Sequence, residues 1–100
     1  MTLASTFSED RRLCILRLLH GCGYTANESV LQSALEEFGH KMTRDQVRNE
    51  LTWLEQQGFI TLEVVAGKTT VAHLTEQGGE VATGRGGKRP GVKLPSPESR

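Results

Sequence analysis

Arg44, Arg48, Asn49 and Thr52 cluster in the stretch "MTRDQVRNELTWLEQQGFITLEVV", from Met42 to Val65. These are residue types that read DNA. An arginine fork matches O6 and N7 of guanine, and an asparagine amide matches N6 and N7 of adenine. Around them, Lys41, Arg44 and the Thr43 hydroxyl would hold phosphates, and Lys68 would reach an adjacent groove or backbone. If the stretch is a helix, Val47, Leu51 and Leu54 mark its inward face. The opposite face then carries Asp45, Asn49, Thr52 and Gln56, with Arg48 flanking. The same residues also fit an ordinary solvated helix, in which Asp45, Glu50 and Glu55 are intrahelical partners for the arginines.

Charge weighs against strong phosphate binding. Up to Thr83 there are seven Lys/Arg against eleven Asp/Glu, a net of −4, and from Gly84 onward five against one, a net of +4. Affinity for nucleic acid rests largely on neutralised phosphates, and strong salt dependence goes with about 6–10 contacts. The body offers Lys41, Arg44, Arg48 and Lys68. Asp45 sits where DNA would approach. The tail could add Arg85, Lys88, Arg89 and Lys93, or serve only as a solubilising terminus.

Other chemistries find little support. His20, His40 and His73 are far apart in sequence and form no metal or catalytic pattern. "GRGGKRPG" lacks the spacing and context of a phosphate loop. Cys14 and Cys22 lack the paired spacing of a zinc site and read as plain thiols. No enzyme activity, metal or cofactor is expected. The apolar runs fall far short of the ~20 residues that a bilayer helix needs, and the N-terminus has no signal-peptide pattern. The cytoplasm of the cell that makes it is the expected location.

The elements that would position this stretch follow from periodicity and caps. Ser8 is expected to cap a first helix through "RRLCILRLLH", closed by Gly21 and Gly23. Its apolar residues cover more than one face, so the helix is either deeply buried or shared with a partner; in a small domain this hints at a homodimer seam at Leu13, Ile15, Leu16 and Leu19. Two copies would set their third helices about one DNA turn, ~34 Å, apart. Asn27 caps "ESVLQSALEEF", with Val30, Leu31, Ala34, Leu35 and Phe38 as its apolar stripe, and Gly39 supplies the exit. Thr43 caps the third helix and Gly58 ends it.

The period then changes to two. Ile60, Leu62 and Val64 alternate in a first strand, "AGK" turns, and "TTVAHLT" returns as a second. Thr75 caps a short last helix, weakened by Gly78 and Gly79 at about 1 kcal/mol each relative to Ala. Trp53 reads as a core-edge anchor, or less simply as a partner hot spot. The expected fold is mainly α with a small β-hairpin. It is a winged helix-turn-helix: a three-helix bundle, a two-stranded wing and a short C-terminal helix. It would span residues 1–83, followed by a flexible basic tail over 84–100.

The segments "EDRRLCILRLL", "NESVLQSALEEFGHKMTRDQVRNELTWLEQQGFITLE" and "LTEQGGEVATG" resemble a small family of winged-helix-like proteins from Mu-like phages and prophages. The resemblance runs from about Glu9 to Val92 and includes the trailing "PGVK". It implies a phage origin and a winged-helix fold, and it carries over no catalytic or binding residues. The two functions in view are a double-stranded DNA-binding regulator or accessory factor, and a docking module for a phage or host protein. The first rests on Arg44, Arg48, Asn49 and Lys68, the second on the acidic body and the apolar first helix.

Overall fold

The computed structural model describes residues 3–85 and 87–95. The order of elements is α1 (Leu3–Gly21), β1 (Thr25–Asn27), α2 (Glu28–Glu37), α3 (Arg44–Gln56), β2 (Ile60–Val65), β3 (Thr69–Leu74) and α4 (Glu76–Thr83). Four helices pack with a three-stranded antiparallel sheet of order β1-β3-β2. No helix among the described residues is long and apolar enough to cross a membrane.

Three of the four expected caps are made. Asn27 accepts from the Val30 N–H at 2.8 Å, and Thr75 accepts from the Gly78 N–H at 3.1 Å. Thr43 accepts from the Gln46 N–H at 3.2 Å while Gln46 Oε1 takes the Thr43 N–H at 2.9 Å. This reciprocal capping box satisfies two N–H groups that would otherwise lack a partner. Ser8 is not a cap. α1 begins at Leu3, with no Gly or Pro upstream to stop it, and Ser8 Oγ instead accepts from Arg11 Nη2 at 3.0 Å.

β1 is an element that periodicity did not reveal. It is three residues long and pairs Thr25 with His73, Ala26 with Ala72 and Asn27 with Val71. The chain enters it through Gly23 (φ +77°) and Tyr24 (φ +76°), and the Tyr24 carbonyl accepts from the Leu74 N–H at 2.8 Å. So much of the sheet's register is set from the far strand that three residues suffice.

The extra packing changes the reading of α1. Leu13, Ile15, Leu16 and Leu19 are 5%, 0%, 0% and 0% exposed, inside the core of a single chain. α2, α3, α4 and β3 all pack on α1 and cover most of its wide apolar circumference, leaving Cys14 and Leu18 half-buried. A dimer seam at these four residues is therefore ruled out by burial: each already contributes roughly 1.5–3 kcal/mol within its own protomer. Conversely, Val30 and Phe38 leave the α2 stripe for solvent, at 51% and 65% exposed, and only Leu31 and Leu35 seal that helix.

The segment after α4 is not a loose tail either. Val92 is 1% exposed and belongs to the core. The Lys93 N–H donates to the Glu9 carbonyl at 3.2 Å, and Lys88 Nζ reaches Glu9 Oε1 at 3.1 Å and donates to the Val92 carbonyl. Lys93 Nζ lies 3.5 Å from Asp10 Oδ1. Basic residues of the segment are thus drawn to the acidic turn of α1, and the expected domain boundary after Thr83 is not a boundary in packing. Residues 96–100 of the expected tail lie outside the described residues.

The two glycines of α4 are not equivalent. A Cβ on Gly78 would sit 2.0 Å from the Phe59 carbonyl oxygen, whereas one on Gly79 would meet nothing closer than 3.8 Å. Gly79→Ala is expected to raise stability by up to about 1 kcal/mol through helix propensity. Gly78→Ala should lower it by about 1–3 kcal/mol, because backbone must move to admit the methyl. Urea denaturation of the two variants checks the opposite signs.

Candidate nucleic-acid interface

α3 presents Arg44, Asp45, Arg48, Asn49, Thr52, Glu55 and Gln56 to solvent and buries Val47, Glu50, Leu51 and Leu54. The inward triad of Val47, Leu51 and Leu54 is as the spacing predicts. The surprise is Glu50, which is 5% exposed although charged.

Glu50 Oε1 accepts from Arg12 Nε at 2.8 Å, and Oε2 accepts from Arg11 Nη2 at 3.1 Å. A buried carboxylate without partners would cost several kcal/mol, so these two α1 arginines are a condition of its burial. Arg12 does more. Its guanidinium carbon lies 3.9 Å from the centroid of the Trp53 ring, and Nη1 donates to the Gly91 carbonyl at 3.1 Å. Gly91 lies against the indole: a Cβ there would come within 2.5 Å of it, and its φ of +84° disfavours any side chain. Trp53 is accordingly a partly buried anchor between α1 and the C-terminal segment, packed edge-on to Phe59 at 6.4 Å between ring centroids.

On the other flank, Glu28 opens α2 and is 3% exposed. Arg48 Nε donates to Oε2 at 2.9 Å and Nη2 to Oε1 at 3.0 Å, a bidentate pair. Arg44 Nη1 lies 3.6 Å from Glu28 Oε1, and Arg44 Nε donates to Gln32 Oε1 at 2.9 Å. Gln32 is fixed in turn, because its Nε2 donates to the Met42 carbonyl at 2.9 Å. The hydrogen bonds from Arg48 hold the Glu28 carboxyl below its ordinary range, against the opposing effect of burial. The same bonds raise Arg48.

Arg44 and Arg48 therefore pair across helices with Glu28 and Gln32, and form no ion pair along α3 with Glu50 or Glu55; Asp45 acts on Arg48 only through its charge. Glu55 serves the sheet: its Oε2 accepts from the Leu62 N–H at 3.0 Å, on the outer edge of β2. Glu28 and Gln32 escaped sequence reasoning. The available signal was the matched four-residue spacing of Glu28/Gln32 on α2 and Arg44/Arg48 on α3.

The structure brings Arg44, Arg48, Asn49 and Thr52 onto one exposed surface of α3, with Lys41 and Thr43 exposed at its N-terminal end. The Thr43 oxygen is engaged as the helix cap, so only its O–H remains to donate outward. Lys68 lies apart, in the exposed β2–β3 turn. Leaving aside Glu50, which α1 pairs, the cations Lys41, Arg44, Arg48 and Lys68 of α2, α3 and the hairpin are matched in number by Glu28, Asp45, Glu55 and Glu63, with Glu36 and Glu37 beyond them on α2. On the outer sheet face His73 Nε2 meets Glu63 Oε1 at 2.9 Å, while Nδ1 meets Thr25 Oγ1 at 3.0 Å. Cys14 and Cys22 are free thiols. Burial first, and then the charge of Asp10, push the Cys14 thiol up.

Over 92 residues the sequence is 46% identical to gp26 of Escherichia phage Mu, described as an uncharacterized protein, covering 92% of this chain and 94% of that one. The chain belongs to the family of phage Mu gp26. A protein of Haemophilus influenzae, likewise described as uncharacterized, is 40% identical over 77 residues, covering 77% of this chain and 76% of its own length. No family model and no solved structure matches.

The Glu28 pair yields a pH signature for this gp26 relative. Its folded-state pKa is lowered, so its contribution is fully present above the ordinary carboxylate range and is lost as pH falls through the lowered value. The gap in Tm between wild type and Glu28→Gln is expected to be widest near neutrality and to close on acidification below about pH 4. Thermal melts of both proteins across pH 7 to 3 check this; a gap that stays constant contradicts it.

Proposed function

We propose that this protein is a winged-helix DNA-binding protein of a Mu-like phage or prophage, a transcriptional regulator or DNA-associated accessory factor. The order α1-β1-α2-α3-β2-β3, with β3 central in the sheet, supports the winged-helix reading. α2 and α3 form its helix-turn-helix and the β2–β3 hairpin its wing. The observation that carries the reading is the uncovered outer ridge of α3, Asp45, Asn49, Thr52 and Gln56, flanked by Arg48. Two flanks of the helix are locked by Glu28 and Glu50, so this ridge is the part left to meet a groove.

A ridge of amides, a hydroxyl and a carboxylate, on a surface whose cations are matched by carboxylates, suits contacts to base edges better than a grip on phosphates. Lys41, Arg44 and Lys68 supply about three phosphate contacts, for which log K should fall with log salt at a slope of about −3. Lys68→Ala should reduce the magnitude of that slope by about 1, weakening all sequences alike. Asn49→Ala should cost about 1–3 kcal/mol on a preferred sequence and much less on random duplex.

A second reading is a protein-docking module. It is favoured by exposed Phe38 beside a cleft of about 350 Å³ lined by Asp10, Cys14, Arg17, Leu18 and His40. Fluorescence-anisotropy titrations of duplex DNA at several salt concentrations, with wild type, Asn49→Ala, Lys68→Ala and Phe38→Ser, separate the two. DNA binding weakened by the first two variants and untouched by Phe38→Ser supports the first reading. Absence of DNA binding even at low salt leaves the second.

A further inference from the structure

The Glu28–Arg48 pair is asymmetric in a way that stability alone does not demand. Glu28's side chain is 4% exposed, whereas Arg48's is 52% exposed. The carboxylate engages only one edge of the guanidinium, the Nε–Nη2 edge, at 2.9 and 3.0 Å. Arginine has five N–H donors in a planar fork. The pair with Glu28 takes two of them, so the Nη1–Nη2 end keeps two parallel donors for a further planar acceptor. O6 and N7 on the major-groove edge of guanine form such an acceptor.

We propose that Glu28 is a positioning residue that presents the distal end of Arg48 to a guanine in the major groove. This inference rests on the DNA-reading function above and deepens it by naming the base. Glu28 itself touches no DNA. It fixes the plane and reach of a side chain that would otherwise lose rotamer freedom on binding.

The neighbouring arginine is braced in the same manner. Gln32, one turn after Glu28, holds Arg44 Nε at 2.9 Å and is itself tied to the Met42 carbonyl at 2.9 Å. Two residues one turn apart on α2 thus brace two arginines one turn apart on α3. Braced at both positions, the arginines are set before DNA arrives.

The buried anion also gives the inference an unusual signature. It repels phosphate while it aims the arginine. Removing its charge without changing its shape should leave affinity for arbitrary DNA equal or higher, and should erase one base preference.

The test is in vitro selection from a randomised duplex pool with the full-length protein, comparing wild type, Glu28→Gln and Arg48→Lys. Wild type is expected to enrich sites with one position at which guanine is preferred about tenfold or more. Both variants should flatten that position to about twofold or less and keep the remaining positions, and Glu28→Gln should bind random duplex at least as tightly as wild type. A guanine preference that survives in Glu28→Gln overturns the inference while DNA reading stands. Uniform weakening at every position in Glu28→Gln overturns it too, since Glu28 would then only support the fold. No enrichment by wild type overturns the DNA reading and the inference together. Should Glu28→Gln not fold, Glu28→Asp, which keeps the charge but draws the carboxylate back by one methylene, decides together with Arg48→Lys: loss of the guanine position in both upholds the inference, and retention in either rejects it.

Discussion

The carboxylate of Glu50 is buried between α3 and α1 and must be matched by positive charge. Arg11 and Arg12 provide it, and this binds α1 to α3. Breaking such a buried pair from one side costs about 3–5 kcal/mol, because the other partner is left charged and unpaired. The consequences spread from Arg12. Committed to Glu50 through Nε, its guanidinium lies over the Trp53 ring, and Nη1 remains to donate to the Gly91 carbonyl. Core, α3 and C-terminal segment thus meet at one arginine. Glu28 repeats the device on the opposite flank with Arg48. α3 is clamped between two buried anions, one facing α1 and one opening α2.

This clamp bears on function through what it leaves over. The inner face of α3 is apolar core and both flanks are ion pairs, which leaves the outer ridge of Asp45, Asn49, Thr52 and Gln56 exposed. The same pairing consumes charge. Lys88 and Lys93, which a reading of the tail offers to phosphate, lie on Glu9 and Asp10. A protein that spends its cations internally has little electrostatic grip on DNA, so specificity would have to come from the directed hydrogen bonds of Asn49, Thr52 and Arg48. Apolar exposure at Phe38 and Val30 lies on α2, outside that ridge, so the two surfaces can be tested separately.

Much of the architecture was legible because local rules decide it. Asn27, Thr43 and Thr75 cap helices since each has a free N–H three residues on, and Val47, Leu51 and Leu54 can face only one way. Gly58 ends α3, and the change to alternation after it forces the hairpin. What stayed hidden depends on distant partners. β1 is too short to show a period and exists because β3 offers an edge. Leu13, Ile15, Leu16 and Leu19 looked like a dimer seam because the cover supplied by β3 and α4 lies some 50 residues away or more in sequence. Glu50 looks solvated until Arg11 and Arg12 are placed beside it. In the candidate site, Arg48, Asn49 and Thr52 were legible as outward residues. The partners that hold the arginines were not: the spacing of Glu28/Gln32 matches that of Arg44/Arg48, but nothing local sets one helix against the other. The docked segment from Lys88 to Val92 was hidden for the same reason: glycines and lysines signal a loose tail until Trp53, Glu9 and Asp10 are seen beneath them.

The proposed function stands or falls on contact between DNA and the outer ridge of α3. The most direct measurement is a two-dimensional NMR titration of the isotope-labelled full chain with a mixed-sequence duplex, following backbone amides and the arginine Nε–H signals. The account predicts that Asn49, Thr52, Lys68 and the Arg48 side chain shift first and together, with Val30, Leu18 and Phe38 unmoved. An unchanged spectrum at low salt, or shifts centred on Phe38 and Leu18, would contradict it.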